Sequence, residues 1–198
     1  MKLPKVTAAA ALLFSLVASP VQAQAQQSCA AHYLIAVPGG GNTAEGIPDY
    51  VPHGGNVFMT GMLTRLGTGG EIQPLWVSYT STPFATSEYE KSKAGGLKRA
   101  RNTVSRLANV CPNAKFSFTG YSLGADIAAT ITSDIAAGRG PIEPERVSGV
   151  ALFANPHQGG NGAVLSAGTS PHSRGSLGSL PDGYGVLGPR VLEICRGD

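Results

Sequence analysis

Charged side chains are scarce in this sequence. The 198 residues hold 15 Lys+Arg and 12 Asp+Glu, 14% of the chain, against roughly 25% in an ordinary soluble protein. A chain this poor in charge and 42% apolar is not intrinsically disordered, because disorder needs the opposite balance. The net charge of +3 is too small for a nucleic-acid-binding surface, so no such partner is expected. Cysteine is sparse as well: an odd count of 3 leaves one thiol without a partner in an oxidising compartment. The 4 His and the cysteines are scattered without ligand spacing, so neither a metal nor another cofactor is expected. No apolar run reaches the ~20 residues of a membrane span. There is no internal repeat and no linker, and the length suits one domain. Glycine and proline are plentiful instead, 27 and 14 residues, which places much of the chain in turns.

The first 25 residues differ from the rest. Lys2 and Lys5 precede a mostly apolar run over 6–19, and small residues then stand at A-x-A-like spacing, best at Ala23-Gln24-Ala25 and next at Val21-Gln22-Ala23. This is the pattern of a secretory signal peptide over residues 1–25, leaving 26–198 as one domain. No lipobox-like pattern precedes Cys29, which argues against a lipid anchor. Without Lys2 and Lys5, 13 basic residues face 12 acidic ones, so the charge falls from +3 to +1. The product is expected to be secreted, extracellular or associated with the cell envelope, where disulfides form, and to be monomeric.

Strands and helices alternate along the remainder. The apolar run 32–37 reads as a buried strand and leads into the sharp turn Pro38-Gly39-Gly40-Gly41-Asn42. A helix is expected over 57–66, a strand over 72–79 and a polar loop over 80–90. The clearest amphipathic helix covers 97–110, with Leu97, Ala100, Val104 and Leu107 on one face and Lys98, Arg99, Arg101 and Arg106 mostly elsewhere. Those basic residues read as a solvated helix face rather than an anion-binding patch. A strand over 114–119 runs into Gly120-Tyr121-Ser122-Leu123-Gly124. A helix follows, with Leu123, Ile127, Ile131 and Ile135 four apart, and stops near Gly138. Strands are expected at 147–153 and 190–194. The stretch 155–188 between them holds 9 Gly in 34 residues without periodicity. Long loops of this kind are usually functional or mobile. The alternation implies an α/β architecture with a central, mostly parallel sheet of about five strands. Its sites lie at the carboxyl ends of the strands.

Both motifs that carry chemistry fall at such ends. Gly120-Tyr121-Ser122-Leu123-Gly124 fits G-x-S-x-G between a strand and a helix, the setting of a nucleophile elbow. The glycines permit the tight turn, and the Ser122 hydroxyl is lifted to a helix N-terminus, whose partial positive charge favours a developing anion. The competing reading is a Gly-rich turn whose serine caps the helix. Acyl transfer also needs an oxyanion hole. Candidate donors are the Leu123 N–H and, from the glycine loop, the N–H near Gly40, each worth roughly 3–4 kcal/mol in the transition state. A phosphate-cradling role for that loop fails, because no Gly-Lys-Ser/Thr follows, and position 44 is Ala where a dinucleotide fingerprint needs Gly.

These residues and their surroundings resemble the cutinase family of serine esterases. The matching features occur in order over 29–198. Cys29 precedes the first strand, and Cys111-Pro112-Asn113-Ala114 precedes the nucleophile strand. Gly120-Tyr121-Ser122-Leu123-Gly124-Ala125 is similar to the family's G-Y-S-Q-G-A, with Leu123 in place of Gln. Val150-Ala151-Leu152-Phe153 resembles the strand after the elbow helix, and Glu193-Ile194-Cys195 the segment before the catalytic acid. The resemblance implies a three-layer α/β-hydrolase-like fold and a Ser-Asp-His triad in that chain order, with Ser122 as nucleophile. It implies a Cys29–Cys111 disulfide, and places Cys195 as the first member of a second disulfide whose partner lies beyond residue 198. It makes Asp198 the acid, or the neighbour of an acid at position 199, and puts the catalytic His later still, so the domain is expected to be incomplete at its carboxyl end.

Of the histidines present, His32 reads as structural, and His53 and His172 lie in loops without a motif. His157, at the end of a strand near the elbow, is the one internal alternative to the missing base. The expected function is a secreted serine esterase hydrolysing carboxylic esters, cutin-like, lipid or acetyl, through an acyl-enzyme on Ser122. The other reading is a non-catalytic secreted protein of the same fold that binds lipid or cell-envelope glycan.

Overall fold

The computed structural model describes residues 29–82 and 86–195. The signal-peptide reading of 1–25 falls outside them. Short runs dominated by apolar residues form the strands β1 (His32–Val37), β2 (Ile72–Trp76), β3 (Lys115–Tyr121), β4 (Val147–Phe153), β5 (Val164–Leu165) and β6 (Val191–Ile194). They make one sheet in the order β2-β1-β3-β4-β6-β5, and every neighbouring pair is parallel. Parallel neighbours need crossover connections. Helix α1 (Asn56–Gly67) joins β1 to β2, α2 (Thr86–Val110) joins β2 to β3, and α3 (Leu123–Ala136) joins β3 to β4.

A parallel sheet is covered on both faces, and β1 is accordingly buried at every position from Tyr33 to Val37. On one face Tyr33, Ile35, Val37, Phe116, Phe118 and Leu152 meet Val104 and Leu107 of α2 and Ile127, Ile131 and Ile135 of α3. On the other face Ala36 and Trp76 meet Val57 and Met62 of α1. This is the expected three-layer α/β arrangement. The chain leaves β1 for β2 on one side and returns to β3 on the other, so the strand order reverses between β1 and β3. At such a switch point the carboxyl ends of the strands open a crevice, and the segments after Val37 and after Tyr121 border it.

The elements depart from sequence expectation in four places. The sheet has six strands rather than about five. The extra one, β5, is two residues long and lies inside the Gly-rich stretch, where it pairs with Leu192 and Glu193 at the sheet edge. Helix α2 begins at Thr86 rather than Leu97. Its polar first half and the Gly95-Gly96 pair conceal it, yet at Gly96 α2 packs tightly on α3: a Cβ there would lie 2.5 Å from Ile127 Cδ1. β2 ends at Trp76 rather than Tyr79; it is the edge strand, and the Trp76 N–H on its outer side donates to Asp49 O at 2.7 Å. β3 extends to Tyr121. The basic residues of α2 are less free than a solvated face implies. Arg99 pairs with the buried Asp49 at 2.6 Å, and Arg101 pairs with Asp134.

Cys29 and Cys111 form a disulfide, with Cα atoms 5.6 Å apart across a separation of 82 residues, while Cys195 is a free thiol. The bond ties the entry to β1 to the end of α2. Closing a loop of this length restricts the unfolded chain, and opening it by reduction or by Cys111→Ala should cost about 2–5 kcal/mol. A thermal midpoint unchanged by reductant would contradict this.

His32, at the start of β1, places Nε2 2.9 Å from Ser117 Oγ. Burial lowers its pKa from the ordinary 6.5. As pH falls, the unfolded chain therefore takes up this proton before the folded one, and stability is lost below about pH 6.5. Between about pH 7.5 and 5.5 the wild type should lose more of its thermal midpoint than His32→Gln; equal losses would argue against this.

Candidate active site

A single residue turns the chain from β3 into α3. Tyr121 ends the strand, Leu123 begins the helix, and Ser122 between them has φ 54° and ψ −120°. A residue with a side chain held in that region costs of order 1–3 kcal/mol. Backbone bonds on both sides hold it: the Ser122 N–H donates to Phe153 O at 2.9 Å, and the Asp126 N–H donates to Ser122 O at 3.0 Å. The flanking glycines supply the room. A Cβ on Gly120 would lie 2.2 Å from Gly124 O, and one on Gly124 would lie 2.0 Å from Val37 O. Ser122 makes no side-chain capping bond to α3, so the helix-cap reading fails. Ala154, the other non-glycine residue with positive φ among those described, follows β4 at 49°. Backbone strain thus gathers at the end of the sheet that carries the serine.

The glycine loop after β1 lies against this turn. A Cβ on Gly39 would come within 2.8 Å of Tyr121 O. The loop's three glycines have no side chains to fix them, and their peptides are held by neighbouring groups. Tyr79 Oη donates to Pro38 O at 2.5 Å, and the Asn42 N–H donates to Gly39 O at 3.1 Å. Asn42 Nδ2 donates to Gly40 O at 2.9 Å, and the Gly41 N–H donates to Ser81 O at 2.9 Å. The peptide between Gly40 and Gly41 is therefore engaged at both ends. The one between Gly39 and Gly40 is held only by its carbonyl, and the Gly40 N–H has no acceptor among the described residues. The Leu123 N–H, in the first turn of α3, has no intrahelical acceptor either. These are the two donors expected from sequence. Tyr79 stays a donor because burial, and after it the Asp126 carboxylate, push its pKa far up.

Residues 40–188 match the family model described as Cutinase. The chain belongs to the cutinase family. It is 29% identical over 126 residues to "Probable carboxylesterase Culp7" of Mycobacterium tuberculosis, a match covering 58% of this chain and 60% of that protein. To "Carboxylesterase Culp1" of the same organism it is 26% identical over 159 residues, covering 80% of this chain and 63% of the other. This cutinase-family chain thus spans less than two thirds of the length of these curated relatives. The catalytic core domain of acetyl xylan esterase from Trichoderma reesei superposes with a TM-score of 0.63 at 15% identity, covering 85% of this chain and 84% of that one. A cutinase-like protein from Cryptococcus sp. gives 0.59 at 19%, covering 86% and 78%. At such identities the likeness concerns the fold.

All four histidines of this cutinase-family chain are described, and none hydrogen-bonds Ser122 Oγ. His32 is bound to Ser117. His53 lies between Thr43 Oγ1 at 2.9 Å and Val51 O at 2.8 Å. His172 is exposed. His157, the internal alternative, has Nδ1 2.8 Å from Gly178 O and Nε2 3.3 Å from Asp126 Oδ1. Both its nitrogens face acceptors other than the serine, so it braces the Gly-rich loop instead. Asp198 lies outside the described residues.

Sequence reasoning missed the buried carboxylates of α3 and β6. Asp126 is fully buried on the first turn of α3. Glu193 on β6 is 1% exposed and accepts from Asn155 Nδ2 at 3.1 Å, Tyr184 Oη at 3.1 Å and the Gly159 N–H at 3.0 Å. Burial, followed by the Glu193 charge, raises the Tyr184 pKa, so this donor is retained. The available signal was an acid within an otherwise apolar helix or strand pattern, which a bound partner alone explains.

Gly124→Ala is expected to force β1 and α3 apart and cost about 2–4 kcal/mol. Gly67→Ala, where a Cβ would have no neighbour within 4 Å, is the control. Comparable thermal midpoints for the two variants would refute the steric account.

Proposed function

We propose that this protein is an exported serine esterase that hydrolyses carboxylic esters through an acyl-enzyme on Ser122. The observation that carries the reading is the strained turn at Ser122, with its hydroxyl uncommitted to the helix and, at the same switch point, Gly40 and Leu123 N–H groups that have no acceptor among the described residues. In the first half-reaction Ser122 Oγ attacks the ester carbonyl carbon and its proton passes to a histidine. The carbonyl oxygen takes up the negative charge beside the Gly40 and Leu123 N–H groups. Collapse expels the alcohol, which leaves with that proton. Water then attacks the acyl-enzyme by the same route and releases the acid. None of the four histidines hydrogen-bonds Ser122 Oγ, so we assign the base to a histidine outside these residues, with Asp198 or its neighbour as its orienting acid. Cutin-like, lipid and acetyl esters are the substrate classes proposed. Export rests on the signal-peptide pattern of 1–25 and is supported by the Cys29–Cys111 disulfide, a bond that forms in oxidising compartments.

The histidine positions also favour a second reading, a non-catalytic secreted protein that keeps this fold and binds lipid or envelope glycan. A fluorophosphonate probe separates the two. The full-length encoded protein should be labelled on Ser122, and Ser122→Ala should abolish both labelling and hydrolysis of p-nitrophenyl esters. A folded protein that resists the probe would leave only the binding reading. Residues 1–198 alone should turn over poorly, and robust activity lost on His157→Ala would make His157 the base.

A further inference from the structure

The first turn of α3 carries a charge that opposes the chemistry proposed for its N-terminus. Asp126 lies four residues after Ser122, is fully buried, and donates its own N–H to Ser122 O. A helix N-terminus presents roughly half an elementary positive charge. A bare carboxylate one turn away carries a full negative charge, and so would reverse the sign of the field at the place where an oxyanion forms.

The carboxylate is not bare. Lys93 Nζ of α2 lies 2.7 Å from Asp126 Oδ1, with the lysine side chain 19% exposed and the aspartate 0%. Tyr89 Oη, also of α2, donates to Oδ2 at 2.8 Å, and Thr130 Oγ1 donates to Oδ1 at 3.2 Å. His157 Nε2 faces Oδ1 at 3.3 Å from the loop after β4. Tyr89 remains a neutral donor, since burial and then the aspartate raise its pKa well beyond the ordinary tyrosine range. Lys93 therefore supplies the charge that cancels Asp126 over a path too short and too dry to be screened as a surface pair is.

We propose that Lys93 is an electrostatic positioning residue for the ester hydrolysis: by neutralising Asp126 it preserves the positive field of α3 at the oxyanion site. Asp126 in turn anchors α2 to the nucleophile turn. Lys93 touches no substrate and acts through Asp126. The proposal rests on the serine-esterase reading above.

The test uses the full-length encoded protein, with active sites counted by fluorophosphonate so that turnover is expressed per competent molecule. Lys93→Met is expected to lower kcat at least about tenfold with KM changed less than about twofold, because the lost interaction exists only in the transition state. Lys93→Arg keeps the charge and should retain most of the turnover. The double variant Lys93→Met with Asp126→Asn has no stranded buried charge, and should recover most of the kcat lost in the single variant. If Lys93→Met does not fold, Lys93→Gln, which retains a hydrogen-bond donor without the charge, carries the same expectation. A purely structural tether predicts reduced stability with unchanged kcat per labelled site. That outcome, or a double variant no faster than the single one, overturns the inference. A wild-type protein that the probe fails to label would instead overturn the esterase reading itself.

Discussion

Backbone rests directly on backbone where the first turn of α3 meets the end of β1, at Gly124 against the carbonyls of Val37 and Pro38. A side chain at this point would separate the two segments, and every other feature of the site depends on their closeness. It brings the glycine loop against Tyr121, sets the Ser122 turn beside that loop, and leaves the Gly40 and Leu123 N–H groups at one switch point of the sheet. The strain at Ser122 is tolerated because the strands on either side are buried and paired, and because Phe153 O of the neighbouring strand receives the Ser122 N–H.

The low content of charge gives each buried carboxylate an identifiable task. Asp49 holds Arg99 and Thr103 of α2, and so fastens the segment that runs from the glycine loop to α1. Asp126 joins α2 to the nucleophile turn. Glu193 gathers Asn155, Tyr184 and Gly159 onto β6. An isolated buried carboxylate costs several kcal/mol, and several fixed donors are what make it tolerable. For Asp49 and Glu193 the bonds fasten a loop: Asp49 lies in the segment after the glycine loop, and Glu193 receives Asn155 and Gly159 of the Gly-rich stretch. Loops rich in glycine are thus held by polar bonds to the scaffold, while the strands and helices are held by apolar burial.

Features that depend on near neighbours in the chain were readable. The strand over 32–37 and the strand over 147–153 have the expected limits, since each is a short apolar run ended by a turn. Helix α3 runs where its Leu123, Ile127, Ile131 and Ile135 spacing puts it. The Cys29–Cys111 bond follows the family resemblance. Features that depend on a distant partner were hidden. The first half of α2 looks like loop because Gly95 and Gly96 weaken a helix, yet the close crossing over Ile127 and Tyr79 requires a glycine there. The two residues of β5 carry no pattern and are a strand only because β6 offers an edge.

The sequence by itself determined the order of strands and helices, the serine set between two glycines at a strand-to-helix junction, and the glycine loop after the first strand. Each is encoded by residues adjacent in the chain, through apolar periodicity and through the steric demands of a tight turn. Only the tertiary structure decided which N–H of the loop has no acceptor among the described residues, because that depends on Tyr79, Asn42 and Ser81 taking up its neighbours. It alone decided that His157 is turned toward Gly178 and Asp126 instead of the serine, and that Asp126 is answered by Lys93 from another helix. Hydrogen bonds and charge pairing act over a few ångströms in space, and no spacing along the chain records which distant groups the fold brings within that reach.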